Sequence, residues 1–307
     1  SAQQPNVTSY SAMTVAIITL ESSAGMWINT LIVAVLCITW VKKKTLNSSE
    51  KVLLLLGCSR FWYLCFSWAY CSLSITFPNY LYVHPTFDII VFFQSIFNCS
   101  HLWFSACLCV FYCLKIANFR NRFFIYLKVK IDRMVPWLLL GSVLSALAIG
   151  IIAYDLADAK LGNNHNSTTG GNLSKVSGKI DEHFFHKYFI YGFGFVTPFI
   201  AVISSALVLL FSLWRHKCKM QTNSVKSLSM DARIRAMKSI LSFLVMYSIN
   251  FLFLILSLSS MKEENYVVFP SLLFLYAFPA VHFLIMILSN PKLEKVLLRI
   301  LSCVKCK

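Results

Sequence analysis

Charged residues are scarce in this chain: Asp, Glu, Lys and Arg make up 13% of its 307 residues, whereas soluble domains carry about a quarter. Hydrophobic residues make up 58%, and 26 residues are phenylalanine. A soluble globule has too little interior to bury this much apolar material, so the composition excludes an ordinary soluble enzyme. The formal net charge of +16 would suggest a nucleic-acid partner in a soluble protein. Where the basic residues lie therefore decides what the charge means.

Seven apolar runs are long enough to cross a bilayer, which takes about 20 helical residues. A backbone exposed to lipid must satisfy its own hydrogen bonds, and the runs lack the alternation of barrel strands, so we predict an all-α bundle of seven transmembrane helices. The predicted spans are residues 11–40, 52–77, 87–116, 134–154, 188–214, 236–260 and 267–288. They make a transmembrane domain at 11–288, flanked by an extracellular N-terminus at 1–10 and a cytosolic tail at 289–307. A short amphipathic helix is expected after the seventh span.

Lysine and arginine are nearly absent from one side of this bundle. Five lie in the loops of that side, 22 lie on the opposite side, and Arg60 lies within the second span. Cytosolic loops carry an excess of Lys and Arg, so the asymmetry places the N-terminus outside and the C-terminus in the cytosol. With acidic residues included, the cytosolic side carries +18 and the outer side −2. The charge therefore orients a multi-pass protein of the plasma membrane and does not call for a nucleic-acid partner.

The N-terminal residues lack a basic region followed by a short apolar run and a cleavage site, so the first span is expected to serve as the insertion signal. The one long polar loop, residues 155–187, has a centre rich in Gly, Asn, Ser and Thr and is expected to be flexible. Glycosylation sequons begin at Asn166 and Asn172 in this loop and at Asn6 near the N-terminus. All three lie on the predicted outer side, and we expect them to be glycosylated.

The outer loops contain none of the eleven cysteines. This absence excludes the disulfide between the third helix and the second outer loop that is common in rhodopsin-like receptors. Cysteines inside the spans are expected to be free thiols that pack as small apolar side chains. Cys303 and Cys306, in the basic tail next to the membrane, are candidates for palmitoylation, with the unmodified state an equal alternative.

Other seven-helix and transport classes lack their defining residues here. Span 267–288 has no lysine for a retinal Schiff base. The chain has no internal repeat and few intramembrane ionisable groups, which disfavours a secondary transporter, although a transporter or channel of unknown substrate remains the alternative to a receptor. Glu21 is the one carboxylate well inside a span, so no catalytic constellation, metal site or cofactor is expected.

Arg60 is the sharpest polar feature inside the membrane, where ionisable groups are costly. It is either a structural strut facing the bundle interior or a polar hub that rearranges on activation, and Asn29 in the first span is its expected neighbour. We place Tyr247 and Asn250 of the sixth span and His282 of the seventh in the same candidate network. The alternative for His282 is a core histidine with its hydrogen bonds satisfied.

A polar face runs along the third span at Gln94, Ser95 and Asn98, which together with Val91 have the i, i+3, i+4, i+7 spacing of one helical face. Such a face avoids lipid, and it serves either as interhelical hydrogen bonding or as the floor of a ligand cavity. Aromatic residues in the outer part of the bundle are the candidate walls of that cavity, and each could equally be core. They are Trp68, Phe87, Phe193, Phe253 and Tyr276.

Rhodopsin-like signatures are missing from their usual positions. Asp132-Arg133 resembles the acid–arginine pair that ends the third helix of those receptors, but it stands beside the fourth span. Asn290-Pro291 lacks the tyrosine three positions later, where Glu294 stands. The sixth span has no proline. These absences argue against the rhodopsin-like class.

Four motifs resemble the type 2 (bitter) taste receptors. The most specific is the run LCVFYCLKIANF at Leu108–Phe119, which is similar to the family signature at the end of the third helix. The others are SLWRH at 212–216, KSILSFL at 238–244, and a last-helix set with Phe278-Pro279, His282 and Asn290-Pro291. The resemblance spans all seven predicted helices.

The chain departs from the family pattern in its pocket and near the last-helix histidine. Gln94 stands where the family usually has Trp, and Asn250 stands where an aromatic residue is frequent. Ala280 and Phe283 replace serines that are expected to partner the second-helix arginine. The pocket is therefore more polar than is typical, and we expect agonists with hydrogen-bonding groups.

The resemblance implies a G-protein-coupled receptor, not an enzyme, that binds bitter small molecules in the outer bundle. Its implied partner is a gustducin-type heterotrimeric G protein of the inhibitory class. The residues expected at the cytosolic opening for that partner are Lys115, Ile116, Arg215, His216 and Lys238. These basic residues are also expected to contact anionic membrane lipids.

Overall fold

The computed structural model describes residues 4–81, 85–117, 121–166, 190–220, 241–242 and 244–253, with 274, 277–278, 281 and 284–285. Helices and short connections account for all of these residues, and no strand occurs among them. The helices are α1 (Gln4–Lys43), α2 (Ser48–Thr76), α3 (Thr86–Ile116), α4 (Arg122–Asn166), α5 (Thr197–Met220) and α6 (Leu244–Phe253). A single helical turn, Pro78–Leu81, lies between α2 and α3, and a π-helical segment, Ile190–Val196, precedes α5.

Five helical segments are apolar and long enough to cross a membrane, and they coincide with the first five predicted spans. They are Ala12–Lys43, Ser48–Thr76, Thr86–Ile116, Arg122–Ala157 and Gly192–Ser212. The shorter α6 lies inside the sixth predicted span. Most of the seventh span and the tail lie outside the described residues. The fold is thus a helical membrane bundle.

Two helices run past the ends predicted for them. α1 begins at Gln4, so most of the predicted extracellular segment 1–10 is helical. α4 extends from Arg122 to Asn166, so the first part of the predicted outer loop 155–187 is helix. The apolar run predicts only the stretch that spans the membrane, whereas good helix formers such as Leu156, Ala157 and Leu161 continue the helix beyond it. Residues 167–189 of the loop lie outside the described part of the chain.

α3 is the central helix of the described bundle, and it contacts α2, α4 and α5, while α1 packs on α2. The main apolar cluster joins α1 to α4 through residues of all four helices. Its buried members are Ile32, Leu36, Val52, Leu53, Leu56, Phe104, Leu108, Phe111, Leu114, Ile131, Val135 and Leu139. Because lipid is as apolar as this cluster, large side chains such as Trp27 and Trp137 also point outward.

Candidate functional site

The buried polar centre of the bundle joins α2 to α3. Arg60 of α2 is completely buried, and its Nη2 donates to the hydroxyl of Ser105 on α3 at 3.1 Å. The Ser105 hydroxyl in turn donates to the backbone carbonyl of His101 at 2.7 Å. A charged donor in an apolar interior is thereby held by a neighbouring helix, which is how intramembrane arginines are usually stabilised.

Ser105 was not singled out from the sequence, although a signal for it exists. Gln94, Asn98, His101 and Ser105 follow one another at intervals of three and four residues, so they lie on one continuous face of α3. Following this polar face from Asn98 to Ser105 would have identified Ser105 as a hydrogen-bond partner of Arg60.

Asn29, the expected neighbour of Arg60, is also completely buried. Its side-chain amide donates to the carbonyl of Gly25 in its own helix at 2.7 Å. Asn29 therefore bonds within its own helix, whereas Arg60 donates across to Ser105 on α3.

Tyr247 and Asn250 of α6 are both buried, and Tyr247 lies where α6 meets α3 and α5. The ring of Tyr247 stacks on Phe199 with centroids 5.7 Å apart and meets Phe278 edge-on at 6.0 Å. Tyr247 also belongs to a buried cluster with Leu102, Ala106, Cys109 and Val202. The sixth predicted span is thus anchored to the central helix through an aromatic residue. His282 lies outside the described residues.

One residue of the polar face of the third span, Gln94, contacts α2. Gln94 donates from Nε2 to the hydroxyl of Ser67 at 3.1 Å, and Ser67 is buried. Ser95 and Asn98 are half-buried on the same helix. Gln94 therefore makes an interhelical hydrogen bond.

Two of the aromatic residues predicted to line the ligand cavity, Trp68 and Phe193, contact different helices. Trp68 is 38% exposed, and its indole N–H donates to Thr19 on α1 at 3.0 Å. Phe193 is 37% exposed and lies 5.5 Å, between ring centroids, from Trp103 of α3. The polar edge of Trp68 is therefore turned toward α1.

Two further aromatic candidates pair with neighbouring rings. Phe87 is half-buried, with its ring centroid 6.4 Å from that of Tyr70. Phe253 stacks on Phe274 at 4.2 Å, which brings α6 against the seventh predicted span. Tyr276 lies outside the described residues.

At the predicted cytosolic end, α3 is tied to α4 by an ion pair. Lys115 Nζ lies 2.5 Å from Asp132 Oδ2, and the two side chains are 39% and 49% exposed. Lys115 also lies over the ring of Phe111, 5.6 Å from its centroid. Asp132, which with Arg133 resembles the rhodopsin-like acid–arginine pair, thus has an identified partner on the neighbouring helix.

The other residues expected at this opening lie close to it or beyond the described side chains. Ile116 is half-buried against a small apolar cluster that includes Ala117 and Leu209. Arg215 is exposed on α5. His216 is in the last turns of α5, but its side chain is not among those described, and Lys238 lies outside the described residues.

Comparison with known proteins decides the class of this bundle. A family model described as taste receptor protein (TAS2R) matches residues 7–305, nearly the whole chain. The chain belongs to the TAS2R family. This TAS2R is 31% identical over 294 residues to taste receptor type 2 member 7 of Macaca mulatta, covering 92% of this chain and 90% of that protein. It is also 31% identical over 304 residues to the human taste receptor type 2 member 9, covering 96% of this chain and 95% of the relative.

Membership confirms the resemblance found in the motifs, and it sets aside the transporter and channel alternatives. This TAS2R is a multi-pass membrane taste receptor and not an enzyme. Asn6 lies within α1 and Asn166 is the last residue of α4, whereas Asn172 lies outside the described residues. Glycosylation at the three sequons stays a prediction.

Proposed function

We propose that this TAS2R binds bitter small molecules in the outer half of its seven-helix bundle and activates a gustducin-type G protein of the inhibitory class from the plasma membrane. The observation that carries the proposal is the family match over residues 7–305. Relatives matched over more than nine-tenths of this chain are named taste receptors, so the likeness is not confined to one helix or motif.

The ligand site is proposed on the polar face of α3. Ligand pockets are mostly apolar with a few oriented polar groups, and the half-buried Gln94, Ser95 and Asn98 supply such groups. Gln94 is held by Ser67, so an agonist that offers its own acceptor would exchange one hydrogen bond for another. The proposed walls are Trp68, Phe87, Phe193, Phe253 and Tyr276.

We propose that activation changes how the neighbouring helices pack against α3, which contacts α2, α4 and α5. A ligand that binds one helix arrangement better shifts the population toward it. Arg60 holds α2 to α3 through Ser105, and Tyr247 holds α6 to α3 and α5 through buried contacts. Asn29, Asn250 and His282 complete the proposed network.

The G-protein site is proposed at the inner ends of α3, α5 and α6, where grooves between helices accept a partner helix. Its residues are Lys115, Ile116, Arg215, His216 and Lys238. The Lys115–Asp132 pair is more than a third exposed, and such pairs contribute only about 0.2–1 kcal/mol. The pair is therefore weak enough for Lys115 to change partners when the helices separate.

A screen in cultured cells tests the proposal. Cells that express the receptor with a gustducin-type α-subunit coupled to calcium release are exposed to a broad panel of bitter compounds. We expect at least one compound to release calcium in these cells and not in cells without the receptor. Silence across the panel, with the receptor detected at the cell surface, would contradict the proposal.

Glycosylation tests the predicted outer position of the N-terminus and of the loop at 155–187. Asn6→Gln, Asn166→Gln and Asn172→Gln should each remove one glycan, seen as a faster-migrating band before glycosidase treatment. If glycosidase does not change the migration of the wild-type receptor, these three asparagines carry no glycan. The predicted outer position of their segments then loses this support.

A further inference from the structure

The connection between α1 and α2 forms a recess with a volume of about 340 Å³. Its lining combines two lysines with three large apolar side chains. The lining residues are Trp40, Lys44, Thr45, Leu46, Lys51 and Leu54. Trp40 is 53% exposed at the last turn of α1, the level at which tryptophan side chains meet the membrane–water interface.

The backbone at Lys44 is held in an unfavourable conformation. Its φ is 58°, in the left-handed region, and its N–H donates to the carbonyl of Trp40 at 2.7 Å to close the end of α1. Glycine is the usual residue at such a helix end, because a side chain there crowds the backbone. The lysine at this position places an ammonium-bearing side chain on the wall of the recess.

Among the residues that the structure describes, the two lysines of the recess, Lys44 and Lys51, have no acidic partner in an ion pair. Glu50, the nearest acid along the chain, accepts a hydrogen bond from the backbone N–H of Asn47 at 2.9 Å and so caps the start of α2. Lys42 and Lys43 in the last turn of α1 add to the local positive potential.

We propose that this recess binds the headgroup of an anionic phospholipid from the cytosolic leaflet. The ammonium groups of Lys44 and Lys51 contact the phosphate, and Trp40, Leu46 and Leu54 contact the glycerol and the upper acyl chains. Charge complementarity favours this occupant, since the cytosolic leaflet is the anionic one and basic side chains next to the membrane attract it. The inference goes beyond receptor function: it rests on the cytosolic position of this connection and on neither agonist nor G protein.

Native mass spectrometry of the full-length receptor, released from nanodiscs of phosphatidylcholine with a minority of phosphatidic acid, tests the site. Phosphatidic acid is the probe because its headgroup is a bare phosphate. We expect one phosphatidic acid to stay bound to the wild type. The double variant K44G/K51Q should bind it about tenfold more weakly or worse.

The matched control is K42Q/K43Q, which removes the same charge from the last turn of α1, outside the residues that line the recess. We expect it to keep binding within about twofold of the wild type. Because K44G relieves the left-handed strain, the thermal stability of the double variant should not fall, which separates lost binding from lost folding. Equal losses in both double variants would overturn the proposal in favour of diffuse charge attraction.

The source of the phosphate is tested with glycerol 3-phosphate, which has the same charged group but no acyl chains. A large excess of it should displace little phosphatidic acid. If it competes as well as the lipid does, the recess is a site for free phosphates and the lipid proposal is wrong. Since no agonist is present, a negative result here leaves the taste-receptor proposal standing.

Discussion

Removing the hydroxyl of Ser105 should cost this receptor far more stability than a serine-to-alanine change normally does. Arg60 is completely buried, Ser105 is 1% exposed, and 3.1 Å separates their bonded atoms. Hydrogen bonds to charged groups are worth about 1.5–3 kcal/mol, and removing the hydroxyl of Ser105 leaves a buried charged donor without this acceptor. Ser105→Ala should therefore lower the unfolding free energy by that amount, a factor of roughly 10 to 150 in the folding equilibrium.

The assay is reversible unfolding of the purified receptor in mixed micelles with increasing denaturing detergent, followed by tryptophan fluorescence. Ser100→Ala is the matched control, because Ser100 is buried on the same helix and its hydroxyl makes no hydrogen bond among the described residues. The control should be neutral or slightly stabilising, since alanine is the better helix former. If Ser105→Ala behaves like Ser100→Ala, the guanidinium of Arg60 does not depend on this contact and the reasoning fails.

Three further changes probe the packing, the ligand site and the cytosolic end. Gly150→Ala should destabilise by about 1–3 kcal/mol in the same unfolding assay, because its Cβ would overlap Ile96, whereas Gly141→Ala, with no atom within 4 Å, should be neutral or stabilising. Gln94→Trp breaks the bond to Ser67 and should shift calcium responses from hydrogen-bonding toward apolar agonists; an unchanged agonist profile would refute the polar pocket. Asp132→Asn releases Lys115 and should change agonist-independent nucleotide exchange by no more than about fivefold, as an exposed pair allows; a larger change would mean that the pair controls activation by itself.

Hydropathy predicted the parts of this fold that depend on solvent. The helical class and the first five spans follow from apolar runs that no soluble chain could bury, and the described helices lie on those runs. The ends of α4 did not follow, because helix propensity continues past the apolar segment at both ends, through Arg122 and through Asn166. Hydropathy predicts where the membrane ends, which is a different boundary from that of the helix.

The partner of Arg60 could not be read from the sequence for a physical reason. Which residue of α3 faces Arg60 depends on the relative height and rotation of two helices, and these are set by packing along their whole length. The sequence showed that Arg60 needed a polar partner, and it showed a polar face on α3. It did not show that Arg60 would meet this face at Ser105. Asn29 was an equally suitable polar partner as far as the sequence showed, but its amide bonds within its own helix.

The aromatic residues predicted to line the ligand cavity show a second reason why the sequence did not specify the site. Trp68 has the size and position expected of a pocket wall, yet its indole donates to Thr19 of the neighbouring helix. An aromatic ring serves equally in a cavity, in a core or between helices, so residue type alone cannot choose among these roles. The motifs were more informative, because their order and spacing along the third helix identified the family that the comparison then confirmed.

Nucleotide exchange on a purified gustducin-type heterotrimer is the most direct measurement of the central claim, that this TAS2R is a bitter receptor coupled to that G protein. The full-length receptor is reconstituted in lipid nanodiscs, and exchange is followed with and without each member of a panel of bitter compounds. We expect at least one compound to accelerate exchange, and we expect the acceleration to require the receptor. A well-folded receptor that leaves exchange unchanged with every compound would contradict the claim.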